Sequence, residues 1–341
     1  MEQLLKSKYR IGNKLAENPF SVTYQGFFIG TDKPVVVKIY KRGTLNSALI
    51  KNMKQKVITL SLLNHHGVAK LLDGDYGWQG FYYVREYVDG FSLQELLDRG
   101  EKAGSEKACA VADQALAALQ AAHERGIVHA ALKPANIFID QQGLVKLVDF
   151  VVEGEIKAAL PQKVEELLGG AQYASPEEIR GEAVTPASDL YSLGLILHEL
   201  AAGKKLTQLP GLPGSLMKLR TGTLLPKEEL AAFPPYLKEI VLCATDREPL
   251  RRFASAAEFK ESLEKKSLIR RPAADEELLQ IYESVVTQYG GEVVDKESEA
   301  LQDVGRVRLH WGREKHRNWL LAVVAAVAVT LGILYAFFLG F

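Results

Sequence analysis

Between residues 9 and 40 apolar and polar positions alternate, with turn residues between the runs. That pattern predicts antiparallel strands with one face in a core. The period then lengthens, and residues 46–63 read as a helix whose only charged side chains are Lys51, Lys54 and Lys56. Ser105–Arg125 reads as a second helix, with Ser105 as N-cap, an alanine-rich interior and Gly126 to end it. The stretch Ile127–Val151 then reads as loop, hairpin, loop. Its strands are Ile137–Ile139 and Leu144–Val148, and Gly143 is the residue suited to positive φ in the turn between them. The hairpin brings Asn136, just before the first strand, close to Asp149, just after the second. A carboxylate and an amide oxygen held side by side suit a Mg²⁺ ion. Further on, residues near 274–289 read as an amphipathic helix before the break at Gly290-Gly291, and Trp319–Phe341 is almost wholly apolar.

The apolar tail changes the picture most. From Asn318 to Phe341 there is no charged residue, and a helix over 319–341 spans roughly 34 Å against a bilayer core of about 30 Å. Just before it, Arg306, Arg308, Arg313, Lys315 and Arg317 face only Glu314. Positive flanks stay in the cytoplasm, so the expectation is a single-pass, C-tail-anchored protein whose preceding domain is cytoplasmic and whose partner through 319–341 is the lipid bilayer. Ala328, Gly332, Ala336 and Gly340 recur every four residues, a small-residue face suited to homodimer packing. The N-terminal residues MEQLLKSKYRIG lack the apolar stretch of a secretory signal.

Composition adds mainly exclusions. A length of 341 residues and a mass of 37.7 kDa suffice for one two-lobed domain with an extension. Lys+Arg and Asp+Glu are each 42, so no net field argues for nucleic acid as a partner. Cys109 and Cys243 lie in apolar, helix-like surroundings and are expected to be buried thiols in a reducing compartment. The seven histidines show no ligand spacing.

The sequence His129-Ala-Ala-Leu-Lys-Pro-Ala-Asn136 resembles the HRDLKPxN catalytic loop of protein kinases, and Asp149-Phe150-Val151 resembles their DFG motif. Three further stretches agree in order. Val35-Val36-Val37-Lys38 resembles the VAIK strand, Ser175-Pro176-Glu177 the APE motif, and Glu248–Glu258 the closing DPxxRxxSAxE, with Arg252 placed to pair with Glu177. Ala187–Gly203 is similar to the family's buried central helix, with Asp189 where the family anchors its catalytic loop. The wording of this helix is closest to bacterial Ser/Thr kinases. The resemblance implies an α+β, two-lobed protein-kinase-like fold, with a β-rich N-lobe and a helical C-lobe over residues 9–265. A juxtamembrane linker over 266–318 and one C-terminal transmembrane helix over 319–341 complete the chain, at a bacterial inner (cell) membrane. It also implies ATP and Mg²⁺ as ligands, with Lys38, Asn136 and Asp149 binding the nucleotide and Asn136 and Asp149 the metal.

The departures from the family pattern are concentrated in the chemistry. Ala130 and Ala131 stand where the family has Arg and Asp. That Asp accepts the proton of the substrate hydroxyl, which a methyl group cannot do, although the loop's Lys133 is retained. Ala16, Asn18 and Ser21 occupy the three glycine positions of the phosphate loop, and Pro19 lacks an N–H. The helix acid that holds Lys38 in the family is expected at Lys56, a cation, which leaves Lys38 without its usual partner. Arg85 falls at the gatekeeper position and is expected to fill part of the pocket. From Phe150 to Ala174 there is no Ser or Thr, Gly170 replaces the Thr of GTxxY and Val151 the DFG glycine. These features predict a pseudokinase acting as a signalling or scaffolding module. A Ser/Thr kinase with residual phosphotransfer and a structural subunit of a membrane assembly are the alternatives.

Overall fold

The computed structural model describes residues 4–77, 79–150, 171–205, 225 and 230–269. The chain divides into two units, Met1–Ala273 and Ala274–Phe341, and every described residue belongs to the first. Among the described residues no helix is long and apolar enough to cross a membrane. The segment 319–341, the amphipathic stretch 274–289 and residues 151–170 lie outside the described residues.

The alternating N-terminal stretch folds as β1 (Leu4–Leu5), β2 (Tyr9–Glu17), β3 (Ser21–Phe28) and β4 (Pro34–Tyr40). With β5 (Leu71–Gly77) and β6 (Gly80–Glu86) they make a six-stranded antiparallel sheet in the order β1-β2-β3-β4-β6-β5. Helix α1 (Ser47–Ser61) is capped by Asn46, whose side chain accepts from Leu49 N. It buries Leu49, Met53, Val57 and Leu60. Gly74 on β5 lets α1 settle close, since a Cβ there would stand 2.9 Å from a Val57 methyl.

The second lobe opens with β7 (Gly90–Ser92), which pairs with the hairpin β8 (Ile137–Asp140) and β9 (Val145–Leu147). The observed strands end a residue or so from the expected ones, and Gly143 has the positive φ (81°) expected of it. Between β7 and β8 lie α2 (Leu93–Asp98) and α3 (Gly104–His123). Ser105 does not cap α3: the helix begins one residue earlier, so Ser105 sits within its first turn and no side chain caps it. Cys109 and Cys243 are free and half-buried rather than enclosed.

Around the buried α5 (Pro186–Ala202) gather α3, α4 (Pro176–Ile179), α6 (Pro235–Ala244) and α7 (Ala256–Glu264). Thr185 and Ser188 form a capping box at the start of α5, and Gly203 in the left-handed region ends it. This core packs the side chains from both faces of α5, which is why that helix reads as apolar nearly all round.

Candidate functional site

The cleft lies between the sheet of the first lobe and the β8–β9 hairpin of the second, and the motif residues gather there. Two residues flanking the hairpin bring the loop and the cleft together. Val148 N donates to Asn136 O at 3.0 Å, and the buried Asn136 side chain donates through Nδ2 to Ala131 O at 2.9 Å. Asn136 therefore braces the loop that carries Ala131.

Asp189 at the head of α5 sets the loop's backbone. Its Oδ2 accepts from His129 N at 2.8 Å and its Oδ1 from Ala130 N at 2.9 Å. His123 Nε2 lies 2.8 Å from the same Oδ2. Ala130 is held at φ 59°, a left-handed conformation that costs an alanine about 1 kcal/mol or more. The paired N–H groups on one carboxylate hold it there. The His129 ring adds a contact between Nε2 and Val148 O at 3.0 Å and packs against Phe150 with ring centroids 4.4 Å apart. His123 carries no motif signal; its place on the last turn of α3, facing Asp189, is set by packing.

Ala131 is buried in the loop, with 7% of its surface exposed. Two carboxylates of the site, Asp149 and Asp189, are both engaged. Asp189 holds the loop N–H groups, and Asp149 binds two cations. Asp149 Oδ2 lies 3.1 Å from Lys38 Nζ and Oδ1 lies 3.0 Å from Arg85 Nε. All three side chains are nearly out of solvent, at 5% exposure for Lys38, 8% for Arg85 and 13% for Asp149. Burial pushes the Asp149 carboxyl up, but the charges of Lys38 and Arg85 outweigh it and hold the group well below the usual carboxylate range. Lys38 thus has a partner after all. The α1 acid is missing, as Lys56 stands in the small cavity lined also by Tyr83, Arg85, Asp149 and Phe150, and Asp149 pairs with Lys38 instead.

Arg85 fills part of the pocket, as its position implied, and reaches further than expected. From β6 it extends over the ring of Phe138 in β8, 6.0 Å from the centroid, and its Nη1 donates to Glu86 O at 3.2 Å. It therefore touches the strand it leaves and both sides of the cleft.

The phosphate-loop position is closed by its own side chain. Asn18 Oδ1 accepts from Phe20 N at 2.9 Å and from Ser21 N at 2.7 Å, while Asn18 N donates to Ser21 O at 2.9 Å. In a loop that cradles phosphate, main-chain N–H groups point at the ligand; here two of them are satisfied within the turn. Glu17 beside it accepts from Lys41 and Lys14, both at 2.9 Å, and those bonds lower its carboxyl to about 2.

A Mg²⁺–nucleotide complex does not fit these residues as they are arranged. Both oxygens of Asp149 are bound to side-chain cations, and the Phe20 and Ser21 N–H groups of the β2–β3 turn are satisfied by Asn18; the Asn136 amide spends its N–H on Ala131 O, a bond that leaves its Oδ1 uncommitted. Among the described residues there is no group of three or more His, Cys, Asp or Glu able to hold a metal ion. Lys133, which precedes the short 3₁₀ turn Pro134–Asn136, is half-buried.

Away from the cleft, Glu177 and Arg252 form the pair that their motifs implied. Arg252 Nη1 and Nη2 donate to Glu177 Oε1 and Oε2 at 2.7 and 2.8 Å. Ser188 Oγ donates to Oε1 at 2.6 Å, and Arg252 also reaches the main-chain oxygens of Ala187, Asp246 and Arg247.

Comparison with known proteins agrees with this architecture. The protein kinase domain family matches residues 9–265, and the chain belongs to that family. Similar proteins include bacterial Ser/Thr protein kinases. The serine/threonine-protein kinase PknL of Mycobacterium tuberculosis is 31% identical over 263 residues, covering 76% of this chain and 66% of that protein. PrkC of Bacillus subtilis is 26% identical over 346 residues, covering 97% of this chain and 52% of that protein. The chain thus spans from about half to just under two thirds of the length of these relatives. Among solved structures, Rad53 1–466 in complex with AMP-PNP superposes with a TM-score of 0.62 at 21% identity, covering 74% of this chain and 63% of that one, a likeness of fold.

Proposed function

We propose that this chain is a membrane-tethered pseudokinase, a kinase-fold module that engages a partner protein at the inner membrane surface without transferring phosphate. The observation that carries the reading is Ala131, a methyl group where the family keeps its proton acceptor, with Asp149 and Asp189 both committed to other partners. Loss of a general base costs about 10²–10⁴ in rate, and the Asn18 turn withdraws phosphate-binding N–H groups besides. The experiment is incubation of the full chain with γ-labelled ATP, Mg²⁺ and a generic protein acceptor. Incorporation is expected to stay at the protein-free background. Incorporation that scales with protein and vanishes in Lys133→Ala would establish the second reading, a kinase with residual activity. That reading draws on the retained Lys38, Lys133, Asn136 and Asp149, and on the AMP-PNP bound to the related fold.

The tether rests on the uncharged segment 319–341 and the five cations between Arg306 and Arg317. The full chain is expected to stay with membranes through alkaline carbonate washing, and a chain ended at residue 318 to be released. Release of both would remove the tether from the proposal.

A further inference from the structure

The cleft holds an ion network that the motif pattern does not contain. Among the described residues it joins the carboxylate of Asp149 to two buried cations on adjacent strands of the first lobe, Lys38 on β4 and Arg85 on β6. A carboxylate at the end of β9 would ordinarily need a cation to be neutralised when the lobes close. Where a kinase uses a metal ion for that, this chain supplies a guanidinium from its own β6. The geometry suits such a role, because the planar group gives Nε to Asp149 at 3.0 Å, Nη1 to Glu86 O at 3.2 Å and its face to Phe138. An arginine stays charged at any physiological pH, so the neutralisation is permanent and independent of ligand.

We infer that Arg85 takes the charge role of the metal on Asp149, so that the two lobes are joined without metal and the cleft excludes Mg²⁺–nucleotide until Arg85 is removed. Three consequences follow from the same atoms. A Mg²⁺ ion approaching Asp149 would have to displace a buried cation or sit beside two of them, and like charges that close repel strongly in a site shielded from water. A ligand entering the cleft over Phe138 would meet the guanidinium. An uncharged, flexible side chain of similar length at position 85 frees one oxygen of Asp149 and leaves Lys38 to pair with the other. Arg85 is therefore a specificity-determining residue of this cleft. The inference rests on the non-catalytic reading of the chain but can fail separately from it.

The test is thermal melting of the full chain in detergent, for the wild type and Arg85→Met, in ATP with EDTA and in ATP with Mg²⁺ at millimolar concentration. Ligand that binds the folded state raises Tm by mass action. The wild type is expected to melt at the same temperature in both mixtures. Arg85→Met is expected to melt lower than the wild type without ligand and to gain a rise of several degrees with ATP and Mg²⁺ that EDTA abolishes. A Mg²⁺-dependent rise in the wild type overturns the inference. So does a folded Arg85→Met that shows no such rise. If Arg85→Met does not fold, Arg85→Gln is used in its place, and the wild-type arm still decides the exclusion of metal. A wild type that binds Mg²⁺–ATP yet transfers no phosphate would sink this inference and leave the pseudokinase reading standing.

Discussion

Arg252→Ala is expected to destabilise the second lobe by about 3–5 kcal/mol, the usual cost of stranding one member of a buried ion pair. The Arg252 side chain is fully buried and Glu177 is 3% exposed, so solvent cannot take over the lost bonds. The variant leaves a carboxylate whose remaining side-chain partner is Ser188, and it frees three main-chain oxygens that the guanidinium now satisfies. For a lobe of this size the loss corresponds to a fall in Tm of roughly 10 °C. A calorimetric or dichroic melt of the full chain measures it, and a fall of only a degree or two would mean that the pair is a surface-like contact. The double variant Glu177→Leu/Arg252→Met is expected to recover part of the loss, because no charge is then left buried alone. Burial raises the Glu177 carboxyl, and the Arg252 bonds, with that of Ser188, more than reverse the effect, leaving it below its ordinary value of 4.5. A carboxyl lowered on folding contributes stability that is complete above that ordinary value and is lost as pH falls through the folded one. The gap in Tm between wild type and Arg252→Ala is therefore expected to hold at neutral pH and to close below about pH 4.5.

Asp149→Asn carries the second large effect. The substitution takes from Lys38 and Arg85, at 5% and 8% exposure, the charged carboxylate that both of them bond. The expected cost is about 3–5 kcal/mol, read as a lowered Tm of the ligand-free chain. Adding Arg85→Met to Asp149→Asn is expected to restore some of that loss, since a buried cation deprived of its carboxylate is gone, and this non-additivity is the signature of direct contact. An Asp149→Asn protein that melts with the wild type would show that the pairs contribute nothing to the ligand-free fold. The Asp149 carboxyl is also lowered on folding, against the upward push of burial, by Lys38 and Arg85. Its contribution is accordingly present at neutral pH and lost in acid, below its ordinary value of 3.8.

Much of the architecture was legible because it depends on local pattern. Alternation over residues 9–40 became β2, β3 and β4. The Asn-capped run after residue 46 became α1. Arg252 met Glu177 because both motifs fix their residues on rigid elements of a family fold. The Asn18 turn was legible only in part. The obstruction of the phosphate loop followed from missing glycines and from Pro19, but that Asn18 Oδ1 would bind Phe20 N and Ser21 N depends on a side-chain rotamer. The start of α3 was not legible, since a serine near a helix start is a frequent cap but this helix begins one residue before Ser105.

The order of elements, the loss of the proton acceptor at Ala131 and the apolar tail are properties of covalent sequence, since periodicity and side-chain chemistry act within a few residues and need no partner. Folding alone settled the rest. Lys38 and Asp149 are 111 residues apart and Arg85 and Asp149 are 64 apart, and an isolated arginine in a strand carries no mark of which acid it will meet. The left-handed backbone of Ala130 is likewise absent from its residue type and is imposed by Asp189, 59 positions away. A buried charge takes whatever opposite charge the packed lobes bring within reach, because leaving it alone out of water costs more than any local preference can offset.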